Sequence, residues 1–556
     1  MSTYVLRVLP KPSRIPAHQI AAMAPIDIVS PPSYLPLATS AAHLFGLGWL
    51  SVVAARTIYR SYVALPPSSA TRHREPSRRG HVHTFTALAV ISLAVGGFFA
   101  ATFSGLSYRI WAAQRGIELP ESVFGDKGAL RGGEHPGRLH LARWLNDVLF
   151  YQDALEIVAE KHRHFWWGQQ VNLGLVSWSV YVAVEGRRRN ISNLWTFLAL
   201  AQLVNLSYAQ NLFFIAVLLT PVPLPENVSE LTRDSVPATS TRYSHFVKRF
   251  AKPDGFLPRP ALYIVLLVAN FTSIFLIPFA ANTPSFMTVS IASRVIPFSF
   301  LLLPYIIPNS FGTIHTHPHS AQSTYTTLFR TISVIAAALH LKSTIIALVS
   351  NTPERYAYRH SLLHPFQEEK LTTLDRGSTA LGRLFGAIGE HPAVSAVGWD
   401  VIMSGLSLGI WAGIRALDAW EMLDSSAVFM KSTAKAVEGT SEPNLKQEIV
   451  ETTENIVEAT LSRRGPGRPR KTEKVEDTDD ASSVVSLPRR RGRPSKKAVE
   501  NHADATYKPA GGDQLEEGDE DVQEDWESAT MAWGMIITGG LGTGSAGIFG
   551  ADMKAR

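Results

Sequence analysis

Long apolar segments with few charges constrain the fold of this chain more than any other feature of its sequence. One of them is ALYIVLLVANFTSIFLIPFAA at 261–281. About eight segments reach the roughly 20 mostly apolar residues that a helix needs to cross a bilayer. They are 34–55, 84–106, 165–185, 193–219, 261–281, 287–307, 327–350 and 395–417. A ninth candidate, 528–550, is glycine-rich, and its small residues favour close packing against another helix.

The low content of charged residues agrees with a membrane protein. Charged residues make up 18% of the 556 residues, whereas about 25% is usual in globular chains. The alternative is that these segments are core helices of a soluble protein. That interpretation suits a single segment, but it does not suit eight segments in one chain with so few charges. We therefore predict an all-α fold, a multi-pass transmembrane helix bundle of about eight or nine spans. The expected location is the endoplasmic reticulum or the nuclear envelope. The chain contains no cysteine, which excludes disulfides and thiolate catalysis.

Composition divides the chain into four parts. Residues 1–33 form a leader that we predict to be disordered, and residues 34–417 form the polytopic membrane domain. Residues 418–526 form a tail of alternating basic and acidic blocks with few aromatic residues. Such a segment cannot bury enough apolar surface to fold, so we predict that the tail is disordered. The fourth part is the glycine-rich candidate helix at 528–550.

Two basic motifs in the tail, at 463–474 and 488–497, resemble AT-hooks, which are short peptides that bind the minor groove of A·T-rich DNA. Their candidate DNA-binding residues are Arg468, Pro469, Arg470, Arg491, Gly492, Arg493 and Pro494. The narrow minor groove of A·T tracts attracts inserted Arg side chains, and the flanking basic residues contact phosphates. The first motif has Pro466 where a hook has arginine, so it should bind more weakly. A nuclear-localisation signal or a patch for anionic lipid is the alternative.

The segment 146–214 is dense in Trp, carboxylates and amides. Asp153, Glu156 and Glu160 are spaced to share one face of a helix that precedes the third candidate span. Polar groups are costly in lipid, so those within candidate spans should face the interior of the bundle. They are Gln169, Gln170, Asn172, Glu185, Gln202, Asn205, Gln210, Asn211, Arg294, Lys342 and Asp400.

Four stretches, FWWGQQ, VEGRRR, LAQLVNLSYAQNLFF and GWDVIMSGLSLGIWAGIR, resemble segments of a group of fungal multi-pass membrane proteins. Some members of that group are terpene cyclases of meroterpenoid pathways, of the ascochlorin and macrophorin type. The resemblance covers roughly 34–417, with 528–550 as a further candidate segment, and the tail with its two motifs is not part of it.

The resemblance implies an acid and an aromatic pocket. In such a cyclase, a carboxylic acid protonates an alkene or epoxide of a polyprenyl chain, and the carbocation that follows needs a dry pocket with aromatic faces. Burial raises the pKa of a carboxyl and keeps it protonated. The candidate acids are, in order, Asp153 and Glu156, then Asp400, then Glu185, with Asp147 also considered. The candidate pocket aromatics are Trp144, Trp166, Trp167, Trp178, Trp195, Tyr208, Trp399 and Trp411.

Structural roles are the alternative for these residues. Asp400 could form an ion pair with Arg294 or Lys342, and Glu185 could pair with the arginines that follow it. Membrane Trp residues often anchor helices at the lipid interface.

No metal site and no cofactor are predicted. Asn146 and Asp147 with Asp153 match only part of the Asp-rich motif of membrane prenyltransferases. The alternating histidines His315, His317 and His319 fit a polar loop better than a zinc or copper site.

Two compatible function hypotheses follow. The first is a membrane protein whose tail binds A·T-rich DNA or another polyanion. The second is a membrane-bound terpene cyclase that acts on a polyprenyl or epoxy-polyprenyl chain. A transporter is a weaker alternative, because the sequence shows no repeat of broken helices.

The DNA hypothesis requires the tail to face the cytosol or nucleoplasm. We expect a tag placed within 463–497 to be cleaved by protease added to sealed microsomes, and Arg493→Ala to weaken a mobility shift with A·T-rich DNA. A protected tag would place the motifs in the lumen and exclude DNA binding.

Overall fold

The computed structural model describes residues 33–64, 75–117, 119, 139–189, 191–220, 256–308, 311–314, 322–358, 368–426 and 526–554. These residues belong to one compact unit, formed by Met1–Phe429 together with Glu524–Arg556. Both AT-hook-like motifs, almost all of the predicted leader and His315 to His319 lie outside the described residues.

The described part of the chain is nearly all helical. Its helices are α1 (Leu35–Val63), α2 (Glu75–Arg115), α3 (Leu141–Asp147), α4 (Phe150–Glu160), α5 (His162–Arg188), α6 (Leu194–Leu203), α7 (Leu206–Leu219), α8 (Pro260–Ala280), α9 (Phe286–Ile306), α10 (Gln322–Asn351), α11 (Thr373–Gly386), α12 (Pro392–Ile414), α13 (Ala419–Ser426) and α14 (Trp526–Lys554). Strands β1 (Phe256–Pro258) and β2 (Gly312–Ile314) form one antiparallel pair, and β3 (Tyr356–Tyr358) and β4 (Glu368–Lys370) form another.

Six of the described helices are long and apolar enough to cross a membrane: α1, α2, α8, α9, α10 and α12. Their lengths and compositions indicate an integral membrane protein. The predicted number of spans is not confirmed, because the candidates at 165–185, 193–219 and 528–550 fall on helices outside this set of six.

The segment predicted as one span at 193–219 is not a continuous helix, because the chain forms two short helices there. Backbone extension at Asn205, with φ −165° and ψ 162°, separates α6 from α7. The Asn205 side chain accepts a hydrogen bond from the backbone N–H of Tyr208 at 2.9 Å. This is the bond that an N-cap residue makes with the first turn of a helix.

A carboxylate from another helix completes the cap of α7. Asp400 on α12 is buried, and its two oxygens accept hydrogen bonds from the backbone N–H groups of Leu206 at 2.9 Å and Ser207 at 2.8 Å. The expected ion pair with Arg294 or Lys342 is therefore not the role of Asp400. A negative charge at a helix N-terminus is stabilised by the helix dipole.

A second interruption lies in α14. Gly540 has φ +82° and ψ 167°, and the two halves of α14 meet there at a kink. Gln170 on α5 accepts a hydrogen bond from the backbone N–H of Leu541 at 3.0 Å and contacts His340 at 2.8 Å. A Cβ at Gly540 would lie 2.5 Å from the Gln170 side-chain oxygen. Glycine is required here both by the positive φ and by this close approach.

Small residues let α14 pack tightly among its neighbours α5, α10, α12 and α13. A Cβ at Gly542 would lie 2.6 Å from the Cβ of Leu173, and the rings of Tyr181 and Phe549 stack at 4.2 Å. Glycine-rich faces allow close helix packing in membranes, as expected for this segment. Helix α13 extends the described fold past residue 417 into the region predicted as tail.

The cap of α7 generates a stability prediction. Asp400→Ala leaves two buried N–H groups without acceptors, and each such group costs about 1–3 kcal/mol. We expect the melting temperature in detergent to fall clearly for Asp400→Ala and less for Asp400→Asn, which keeps one acceptor oxygen.

Ser404→Ala on the same helix is the matched control, because the buried Ser404 hydroxyl has no hydrogen-bond partner. Equal melting temperatures for Asp400→Ala and Ser404→Ala would contradict the capping role.

Candidate active site

A cleft of about 230 Å³ lies between the C-terminal half of α2, helix α4 and the start of α12. Two titratable side chains line it, Asp153 and His391. The remaining lining residues are mostly apolar or aromatic: Phe103, Leu106, Ser107, Ile110, Trp111, Gln114, Val148 and Ile157. A mostly apolar concavity with a few convergent polar groups is the usual form of a small-molecule site.

The short helix α4 presents Asp153 to the cleft. Asp153 and Ile157 are four residues apart, so they lie on the same face of the helix, and both line the cleft. The Asp153 backbone N–H donates to the carbonyl of Leu149 at 2.8 Å, which fixes the first turn of α4. Glu156, one turn further on, accepts a hydrogen bond from Gln152 at 2.9 Å instead of lining the cleft.

The surroundings of Asp153 raise its pKa. Burial raises the pKa of Asp153 above its ordinary value, and the negative charge of Glu156 raises the pKa further. No described residue donates a hydrogen bond to this carboxyl that would lower its pKa. The carboxyl is therefore open to a ligand, and it retains its proton to higher pH than an exposed aspartate.

Aromatic rings form the wall behind the cleft. Phe103 packs against Phe150 with ring centroids 4.9 Å apart, and Trp111 packs against Tyr108 at 5.4 Å. The Trp111 indole N–H donates to Asp147 at 3.0 Å, which fixes the orientation of the ring. Phe103 and Trp111 thus line the same cleft as Asp153, whose carboxyl is the only one among the described lining residues.

His391 is the second polar group of the cleft, and its hydrogen bonds indicate its tautomer. Its Nδ1 accepts a hydrogen bond from the backbone N–H of Ala393 at 3.2 Å, as the N-cap of α12. The neutral ring must then carry its proton on Nε2. Burial lowers the pKa of His391, and the positive charges of His164 and Lys161 lower the pKa further. His391 is therefore a neutral hydrogen-bond donor.

Glu390 holds the loop that carries His391 against α5. Both of its oxygens accept from Arg163 Nε, at 2.8 and 2.9 Å, and one accepts from His164 Nε2 at 2.8 Å. The other ring nitrogen of His164 contacts the carbonyl of Ile157 on α4 at 3.0 Å. This network connects the two elements that carry the titratable groups of the cleft.

The other predicted acids are engaged elsewhere. Asp147 pairs with Arg115 at 2.9 Å as well as with the Trp111 indole, and Asp400 caps α7. Glu185 accepts hydrogen bonds from Arg188 at 2.8 Å and Arg189 at 2.5 Å, which is the pairing stated as its alternative role. Of the five candidate acids, only Asp153 belongs to the described residues that line the cleft.

The predicted pocket aromatics are dispersed. Trp178 and Trp411 are fully buried in the core, whereas Trp195 is exposed beside Trp49.

Three other candidate aromatics make hydrogen bonds away from the cleft. Trp166 donates to Thr344 at 2.8 Å, and Trp167 donates to the carbonyl of Leu384 at 3.2 Å. The Tyr208 hydroxyl donates to Ser51 at 3.1 Å. Trp144 packs behind the cleft against Tyr108 and Phe150. None of these residues lines the cleft.

Trp399 lines a second, apolar groove of about 350 Å³ on the same pair of helices. Its other lining residues are Ala94, Val95, Phe98 and Phe99 on α2. Phe99 precedes Phe103 by one helical turn, so groove and cleft follow one another along the seam between α2 and α12.

Sequence reasoning did not select Phe103, Trp111 or His391. Phe103 and Trp111 belong to a long helix whose apolar pattern is explained by lipid alone, and His391 carries no motif beyond a following proline. Within the described ranges, no group of three or more His, Cys, Asp or Glu residues could hold a metal ion.

No protein-family profile, no curated protein and no solved structure matches this chain.

The Glu390 network generates a pH prediction for stability. Burial alone raises the pKa of Glu390, but the hydrogen bonds from Arg163 and His164 outweigh burial and place the pKa below its ordinary value of 4.5. The ionised Glu390 side chain therefore stabilises the fold at neutral pH. This stabilisation is lost as the pH falls through the lowered pKa of Glu390.

Melting curves in detergent between pH 7 and pH 3 should show a steeper acid-side loss for the wild type than for Glu390→Gln. Glu354→Gln, which changes an exposed carboxylate, is the control and should follow the wild type. A Glu390→Gln profile parallel to that of the wild type would refute the linkage.

Proposed function

We propose that the chain is a membrane-bound terpene cyclase in which Asp153 protonates an alkene or epoxide of a polyprenyl chain. One observation carries the proposal: a carboxyl with a raised pKa and no described hydrogen-bond donor lies in a cleft bounded by Phe103 and Trp111. A general acid must hold its proton at the operating pH, and aromatic faces stabilise positive charge.

The proposed reaction rearranges the bonds of the substrate and needs only the proton of the Asp153 carboxyl. The Asp153 proton moves to the epoxide oxygen while a carbon–oxygen bond of the epoxide breaks. The electron pair of a neighbouring alkene forms a new carbon–carbon bond, and the positive charge moves to the next carbon. Loss of a proton from the last cation restores an alkene, and Asp153 regains its proton directly or through water. The product has the mass of the substrate.

The two cavities suit an elongated apolar substrate. A cleft of about 230 Å³ is smaller than the usual ligand pocket of about 300–1,000 Å³, so it accommodates the reactive end of a polyprenyl chain. The groove lined by Phe98, Phe99 and Trp399 follows along the same seam and accommodates the remainder. His391 is placed to donate a hydrogen bond to an oxygen of the substrate in the cleft.

The resemblance of four stretches to fungal meroterpenoid cyclases supports the same proposal. It covers both helices of the seam, because GWDVIMSGLSLGIWAGIR forms most of α12 and the wider resemblance, over roughly 34–417, includes α2. An endoplasmic-reticulum or nuclear-envelope membrane is the proposed location.

Transport is less well supported than cyclisation. Interrupted helices in transporters direct half-helix N-termini toward a substrate, and this chain has interruptions at Asn205 and Gly540. Here Asp400 and Gln170 accept hydrogen bonds from the N–H groups that follow the two breaks. Side chains of the protein thus occupy the positions that a transported anion would take.

Binding of A·T-rich DNA by the tail stays a prediction from the sequence. Both motifs lie outside the described residues, and cyclisation in the membrane domain does not depend on them.

The test follows the conversion of an epoxyfarnesyl-substituted phenol by the detergent-solubilised full chain, with mass spectrometry after chromatography. We expect a product of unchanged mass and shifted retention. Asp153→Asn should lower its rate at least about 100-fold, as expected for loss of a general acid. The wild-type rate should fall as the pH rises through the raised pKa of Asp153.

Glu160→Gln is the matched control, because Glu160 is an exposed carboxylate on the same helix. It should keep the wild-type rate. An Asp153→Asn variant as active as Glu160→Gln would remove Asp153 from the mechanism.

A further inference from the structure

Arginines gather at one end of the bundle, where α5 and α12 finish. Arg188 is the last residue of α5, and Arg189 and Arg415 directly follow α5 and α12. These side chains are withdrawn from solvent: Arg189 is 4% exposed, and the side chain of Arg188 is 7% exposed. We call this group the arginine cluster.

Part of the cluster is paired within the protein. Arg188 and Arg189 donate to Glu185, and Arg189 Nη1 also donates to the carbonyls of Val217 at 3.0 Å and Thr220 at 2.5 Å. Arg415 Nε donates to Asp552 at 3.2 Å.

Four of the other guanidinium nitrogens are buried without a hydrogen-bond partner. Nε and Nη1 of Arg188, Nη2 of Arg189 and Nη2 of Arg415 are buried, and none makes a hydrogen bond in the structure. Unpaired donors of buried charged groups are costly because the groups have given up their hydration. Four donors from three side chains at one end of the bundle therefore require an acceptor.

The unpaired donors, and not the net charge, call for an acceptor. Within the described part of the chain, Glu185 and Asp552 are the carboxylates bonded to the three arginines, so the side chains carry one more positive than negative charge. The C-termini of α5, α7 and α12 offset that excess with partial negative charge of about half a unit each. The C-terminal carbonyls that contact the cluster are bonded to Arg189 Nη1, so they do not serve the four free nitrogens.

We propose that the arginine cluster binds a phosphate group. A phosphate offers several acceptor oxygens and up to two negative charges, and it matches the planar fork of Arg better than a single carboxylate does. The cluster lies at the end of α12, a candidate span, where phosphates of lipid headgroups are found. The phosphate is supplied by an anionic lipid headgroup or by a free phosphate or diphosphate.

This site is separate from the proposed cyclisation, because none of the three arginines lines the Asp153 cleft. Loss of phosphate binding and loss of cyclase activity are therefore independent outcomes.

The test measures the melting temperature of the full chain in detergent with two probes. One is dioleoyl phosphatidic acid in mixed micelles compared with dioleoyl phosphatidylcholine. The other is inorganic phosphate or diphosphate compared with chloride at equal ionic strength. Stabilisation by phosphatidic acid alone identifies a lipid headgroup, and stabilisation by the soluble ions identifies free phosphate. If neither probe raises the melting temperature, the proposal is overturned.

Variants localise the effect. Arg188→Gln should raise the apparent dissociation constant of the active probe at least about tenfold, as loss of charge-assisted hydrogen bonds implies. Arg188→Lys keeps the positive charge but loses the planar guanidinium group, so it should weaken binding less than Arg188→Gln does. Arg188→Lys also tests the site if Arg188→Gln does not fold. Arg109→Gln removes an exposed arginine of α2 and should bind as the wild type does. Equal losses for Arg109→Gln and Arg188→Gln would indicate nonspecific charge and overturn the assignment.

Discussion

Buried backbone N–H groups require hydrogen-bond acceptors within the protein, and the interrupted helices of this chain meet that requirement with buried side chains. Each break frees N–H groups that the helix itself cannot satisfy. Asp400 and Asn205 satisfy those of α7, and Gln170 satisfies that of Leu541. The breaks are close to each other: a Cβ on Gly174 of α5 would lie 2.8 Å from Leu541 and 3.3 Å from Leu206.

The same contacts position the candidate active site. Asp400 joins α12 to α7, and α12 begins about two turns before Asp400, at its N-cap His391, the donor of the cleft. Glu390 bonds this end to Arg163 and His164 of α5, and His164 contacts the carbonyl of Ile157 on α4. The polar side chains that stabilise the bundle thus bring an acid and a donor from separate helices to one apolar cleft.

The sequence predicted the helices better than their interruptions. Apolar length is a local property, so every candidate span falls mostly on helix, although 193–219 is divided between two helices. Six of the described helices meet the criteria of length and apolarity. The break at Asn205 depends on Asp400, which is distant in sequence, and an apolar pattern does not reveal such a partner. For the site, the sequence ranked Asp153 together with Glu156 among five candidate acids without choosing between them. Phe103, Trp111 and His391 became recognisable only once α2, α4 and α12 were placed together.

In the proposed mechanism, Asp153 protonates a polyprenyl substrate in the cleft between α2, α4 and α12. The most direct measurement is an electron cryomicroscopy structure of the Asp153→Asn chain with an uncyclised epoxyfarnesyl phenol. We predict that the epoxide oxygen lies within hydrogen-bond distance of residue 153 and that the chain extends past Phe103 toward Trp399. An epoxide bound elsewhere, or an empty cleft at saturating substrate, would contradict the claim.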